Sequence, residues 1–184
     1  MKKLSLIGSV LLLVLCQACI NDVNESEPGT YKRKQPIVFI EPGDMQFAVN
    51  AAQIGFADIE LGKLAIKKGS DKKVKNFGAL LIKQHIKMGA RLQNSAKSKK
   101  ITLPPTIDSA TQKDLNMLSA YSGKAFDKAF INFMISNHET GIKFFEHAAK
   151  HVVDKELKKL ASKNALILHR HLYALNGIKA ILKY

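Results

Sequence analysis

From Asp44 onward apolar residues recur at three- and four-residue steps, with Phe47, Ala51, Ile54, Leu61 and Ala65 on one side. That spacing predicts an amphipathic helix, with Asp44 placed as its N-cap and Gly69-Ser70 as its end. A second helix carries Val74, Phe77, Leu81, His85, Met88 and Leu92 on one stripe and runs out in Lys97-Ser98-Lys99-Lys100. Leu103-Pro104-Pro105 follows, and proline cannot continue a helix. Asp108 to Tyr121 reads as a short helix inside a connection, broken by Ser122-Gly123. A third long helix is predicted from about Lys124 to Val152, with Phe126, Phe130, Phe133, Met134, Phe144 and Phe145 facing inward. The fourth runs from near Asp154 to about Leu182, with Leu157, Leu160, Ala161, Leu168, Leu175, Ile178 and Leu182 on one side.

Four helices of similar length, joined by short turns between one and two and between three and four, imply two antiparallel hairpins. The long link between helices two and three can cross the length of a bundle. The expected fold is therefore all-α, a ferritin-like four-helix bundle whose helix two to helix three crossover contains a short helix. No Gly-rich phosphate loop follows a strand, no β-alternation persists and no repeat period shows, so Rossmann and P-loop chemistry are set aside.

Ahead of the bundle the pattern is different. Lys2 and Lys3, the apolar run Leu4 to Leu15, and Cys16-Gln17-Ala18 read as an export signal over residues 1–18. The run is too short to span a bilayer, which needs about 20 residues. Cleavage after Ala18 leaves Cys19 first in the mature chain, where a bacterial lipoprotein is acylated. Ala18-Cys19 resembles a lipobox, with Cys16 standing where Leu is usual. Residues 19–43, rich in Asn, acidic residues, Pro and Gly, read as a tether to a bundle domain over 44–184. With both cysteines in the first 19 residues, no disulfide is available to the mature domain.

The 184 residues carry 29 basic and 15 acidic side chains, a net charge of +14. Losing Lys2 and Lys3 leaves 27 against 15, or +12. Such a field attracts anionic envelope lipids and glycans without selecting among them. The basic runs lack interleaved aromatics, so no specific nucleic-acid site is expected.

Helical bundles that bind two metal ions place Glu and Glu-x-x-His on facing helices, which directs attention to mid-helix acids and histidines. Asp58 and Glu60 lie on the first long helix, His85 on the second, His138 on the third, and His169 and His171 on the fourth. His85, His138 and His171 each sit between apolar residues of the inward stripe. His169 is turned from His171 by about 200°, so only one of the pair faces the core. Three residues before His85 stands Ile82, and three before His171 stands Leu168, so neither Glu-x-x-His is present. A single iron, zinc or copper held by imidazoles and a carboxylate remains chemically reasonable. The plainer reading of each histidine is a core residue hydrogen-bonded to a neighbouring helix. No activated nucleophile is apparent.

FAVNAAQIGFADIELGKLA from Phe47, VKNFG from Val74, His85, SGKAFDKAF from Ser122, His138, Phe145-Glu146 and His171-Leu172 resemble a bacterial family of secreted ferritin-like proteins labelled a domain of unknown function. The family pattern has Asp where this chain has Gln84 and Asn137. The resemblance implies the ferritin-like bundle and a cell-envelope, often outer-membrane, location. It carries over Asp58, Glu60, His85, His138, Glu146 and His171 as the family positions.

The sequence thus supports first an exported, lipid-anchored envelope protein of a Gram-negative bacterium, in the periplasm or outer membrane, acting as a non-enzymatic binding or stress-related module. A second reading is a metal-binding, redox-capable bundle using Asp58, Glu60, His85, His138, Glu146 and His171. Self-assembly into a homo-oligomer is a third.

Overall fold

The computed structural model describes residues 40–183; the export signal, Cys19 and most of the tether lie outside them. Five helices follow in order: α1 Pro42–Lys68, α2 Lys72–Ser98, α3 Ser109–Ser119, α4 Gly123–His151 and α5 Lys155–Leu182. The described residues contain no strand, and the architecture is an all-α bundle of four long helices plus one short one. None of these helices is long and apolar enough to cross a membrane.

α1 starts three residues earlier than an Asp44 cap implied. Pro42 takes the first helical position, where its fixed φ is suited and its missing N–H costs nothing. Glu41 is the N-cap, which leaves Asp44 in the first turn rather than capping it. Asp44 is buried, and its carboxylate accepts hydrogen bonds from the backbone N–H groups of Val153 (2.9 Å) and Asp154 (2.7 Å) in the α4–α5 turn. Asp127, buried near the start of α4, does the same for the other turn. It accepts from Ser70 N–H (2.9 Å), Ser70 Oγ (2.6 Å) and Asp71 N–H (2.8 Å) between α1 and α2. Asp71 and Asp154 in turn cap α2 and α5 by accepting from N–H groups of the first turn. Asp127 follows Asp44, and Asp154 follows Asp71, by the same 83 residues (127 minus 44, 154 minus 71). Each hairpin therefore supplies the aspartate that closes the other's turn.

These contacts also fix the topology. The start of α4 lies beside the α1–α2 turn, whereas Lys99 at the end of α2 pairs with Asp154 and Glu156 at the start of α5, at 3.1 Å in each case. The α2 to α4 connection must run the length of the bundle, as its proline-broken sequence suggested. α3 lies along it, and the Lys68 ammonium ties the far end of α3 to α1 by donating to the Ser119 carbonyl.

The core is divided in two. One apolar cluster gathers Phe47, Ala51, Met88, Leu92, Phe145, Leu157 and Leu168. The other gathers Leu61, Val74, Phe77, Leu81, Phe126, Phe130, Met134 and Leu175. On every long helix the gap between the two clusters is occupied by one buried polar residue: Asp58 on α1, His85 on α2, His138 on α4 and His171 on α5.

Candidate metal centre

A polar layer across an apolar core is costly unless its groups find partners. Asp58, His85, His138 and His171 are each at most 1 % exposed, and the layer is only partly satisfied from within. His85 Nε2 lies 3.2 Å from Asp58 Oδ2, yet the two are not aligned as a hydrogen bond. Both ring nitrogens of His85 and Oδ2 of Asp58 are left without a hydrogen-bond partner. Asp58 Oδ1 receives one long bond, 3.3 Å, from the Asn137 amide.

The other two histidines are better held, and the way they are held is informative. His138 Nδ1 lies 3.0 Å from the Met134 carbonyl, one turn back on α4. A carbonyl only accepts, so Nδ1 carries the proton and Nε2 of the neutral ring is bare. His171 Nε2 lies 3.0 Å from Gln84 Oε1, another acceptor, which places that ring's proton on Nε2 and leaves Nδ1 bare. The two bare nitrogens, His138 Nε2 and His171 Nδ1, face each other at 3.1 Å. With Gln84 turned this way the two lone pairs repel unless a cation lies between them; with its amide turned over, a ring proton shared by the two nitrogens satisfies the pair. An outward N–H on a backbone carbonyl or side-chain oxygen is also how metal-bound imidazoles are oriented.

Ligand atoms of His85, His138 and His171 all fall within 4.8 Å of one another. A tetrahedral ion with bonds of about 2.0–2.1 Å brings its nitrogens to roughly 3.4 Å. The His138–His171 pair already meets that requirement, and His85 has to close in from its side. Asp58 is adjacent as an oxygen donor.

Burial sets the protonation. Loss of hydration pushes His85 down to about 3, with the neighbouring His171 and His138 adding to the effect. His138 falls to about 3, chiefly through burial and then His171, and His171 to about 4 through burial. Burial pushes Asp58 up to about 8. At neutral pH the layer is three neutral imidazoles and an uncharged carboxylic acid, so the contact between His85 and Asp58 is not an ion pair. Neutral imidazole is the form that binds metal, and an arriving cation would displace the Asp58 proton.

Of the six positions singled out in the sequence, the structure brings together Asp58, His85, His138 and His171. Glu60 is turned to the solvent side and pairs with Lys63 at 2.6 Å. Glu146 is half exposed and pairs with His169 at 2.9 Å, so His171 and not His169 faces the core. The two glutamates miss the layer for different reasons, one by rotation and the other by distance along the helix. Glu60 is two residues, or about 200°, from Asp58, and Glu146 lies two turns along from His138. Sequence reasoning missed the outward partners. Gln84 stood out only as a departure from the family pattern, where Asp is usual, and Met134 gave no signal beyond standing four residues before His138.

Residues 38–178 match the family described as Domain of unknown function (DUF4142). The chain belongs to that family. Among curated proteins, none matches its sequence. Two solved structures are similar in fold. A DUF305 fragment from Deinococcus radiodurans has a TM-score of 0.67 at 12% identity, covering 76% of this chain and 96% of that one. An inferred secreted DUF305 protein from Streptomyces coelicolor has a TM-score of 0.66 at 13% identity, covering 76% and 93%. At such identities they support the helical bundle and say nothing of the DUF4142 chain's chemistry.

Proposed function

We propose that this DUF4142 protein is exported to the cell envelope and binds one transition-metal ion, iron, zinc or copper, through His85, His138, His171 and Asp58 in a ferritin-like use of the bundle. The observation that carries this reading is the convergence of three buried imidazoles whose ligand atoms lie within 4.8 Å of one another, with both His85 nitrogens and Asp58 Oδ2 left without a hydrogen-bond partner. Imidazole with one carboxylate suits those three metals and not calcium or magnesium, which prefer oxygen. The sequence alone ranked a basic binding module first. The partly unsatisfied polar layer reverses that order, because anionic lipids or glycans at the surface leave the layer unexplained. The leader, Cys19 as acylation site and a tether support a periplasmic or outer-membrane address, and the secreted neighbour agrees with export. No catalytic activity is assigned.

The test is elemental analysis of the full chain, secreted and purified without chelators, beside a His138→Ala, His171→Ala double variant. About one metal ion per chain is expected in the parent and none in the variant. Absence of metal from the parent, with no rise in melting temperature on adding zinc, copper or ferrous iron, would reject the proposal.

A further inference from the structure

A second feature of the bundle is independent of the metal centre. α1 and α2 approach backbone to backbone at Gly62 and Gly78. A Cβ on Gly62 would stand 2.7 Å from the Gly78 carbonyl oxygen, and one on Gly78 would stand 2.6 Å from that of Gly62. Toward the other end the same two helices leave room, since a Cβ added at Gly55 or Gly89 meets nothing within 4 Å. A cavity of about 700 Å³ opens there, closed on one side by the connection at Leu103-Pro104-Pro105. That volume lies in the ordinary range for small-molecule sites, about 300–1,000 Å³.

The wall is apolar, with Ile54, Phe56, Met88 and Phe145 among its residues. It contains no carboxylate, and Lys97 is its only charged residue. Along α2 the wall extends from His85 to Lys97, twelve residues or about 18 Å at 1.5 Å per residue. Gln93, Asn164 and His85 add its other polar side chains. Asn164 is 7 % exposed.

An elongated apolar trough with a cation at one end and no carboxylate in its wall fits a single-chain acid. We infer that this cavity binds a free long-chain fatty acid, with its carboxylate beside Lys97 and its chain laid along α2 toward His85. The absence of acidic wall residues excludes a cationic amphiphile by the same electrostatics that admit an anionic one.

The test uses parinaric acid, a fluorescent fatty acid, and N-phenyl-naphthylamine, a neutral apolar dye, with the full secreted chain. Saturable binding of parinaric acid is expected, displaced by palmitic acid. Gly89→Leu, which fills the trough from a position with open space, should weaken it at least tenfold with helical circular dichroism unchanged, and Gly55→Leu should do so from the facing wall. Lys97→Glu, an exposed change, should weaken parinaric acid about fivefold or more and leave the neutral dye unchanged. Lack of saturable binding by the parent, or equal binding by the parent and both trough-filling variants, would overturn the inference. So would a dye and an acid that respond alike to Lys97→Glu. The double variant His138→Ala, His171→Ala should still bind the acid, which separates this site from the metal reading.

Discussion

His138 Nε2 and His171 Nδ1 face each other at 3.1 Å across the middle of the bundle, each ring having given its proton to an acceptor behind it. The Gln84 oxygen is what keeps His171 in that state, so Gln84 is a positioning residue for any ion held there. Gln84→Glu, still an acceptor, is expected to hold or raise zinc affinity. Gln84→Leu should lower it by about tenfold or more, the usual loss when an outer partner of a metal-bound imidazole is removed. Competition titration with a chromophoric chelator measures both. The idea fails when the leucine variant binds zinc as the parent does.

Stability of the metal-free protein should peak near pH 6.5. The three buried histidines keep folded-state values of about 3, 3 and 4 against an ordinary 6.5. As pH falls below 6.5 the unfolded chain takes protons that the folded one refuses, and stability is lost. Asp58 works the other way. With a folded value of about 8 against 3.8, it holds a proton that the unfolded chain has shed, so its contribution declines as pH rises toward 8. Between pH 6.5 and 8 the slope should approach one proton, about 1.4 kcal/mol per unit. Denaturant titrations from pH 5 to 8 read the curve. Asp58→Asn should abolish the alkaline decline, and an unchanged decline in that variant would locate its cause elsewhere.

Asp127→Ala should destabilise the fold by about 3 kcal/mol, a fall in Tm of roughly 10 °C, because Ser70 and Asp71 lose their buried acceptor together. Asp44→Ala should cost a similar amount through Val153 and Asp154. By contrast, Glu60→Gln and Glu146→Gln lie on solvent-side pairs and should shift Tm by less than about 2 °C. Thermal melts at one pH suffice to compare the four.

The glycines of α1 and α2 should respond with opposite signs. Gly89→Ala adds a methyl group into open space and should gain the helix-propensity difference of about 0.8–1.0 kcal/mol. Gly78→Ala would drive its Cβ against the Gly62 carbonyl and should be destabilising despite the same propensity gain. Paired denaturation curves decide it.

Much of this was legible in the chain. The apolar stripes specified four long helices because a half-buried helix must repeat near 3.6 residues, and a histidine on such a stripe has to face inward. Asp58 was harder to separate from Glu60, because on α1 the stripe is broad and alanine-rich and does not fix which of two acids two positions apart turns in. Glu146 came in through the family resemblance at Phe145-Glu146, although the helix turns it about 100° from Phe145 and sets it two turns from His138. Asp44 looked like a cap because helix starts favour aspartate. Its true partners are 109 and 110 residues distant, a relationship without any local trace. The cavity was invisible for a related reason, since it depends on where two helices cross and not on what either one carries.

The exchange of aspartates between the two turns has a consequence for how the molecule comes apart. Neither hairpin holds the means to finish its own bend, so a half-molecule would carry two exposed backbone amides that nothing in its own sequence can quiet. Loosening at one end withdraws the carboxylate from the opposite partner's turn, and the histidine layer, drawn one residue from each long helix, separates at the same moment. Hydrogen exchange should therefore find the two halves opening together as one cooperative unit, with α3 free to fray on its own.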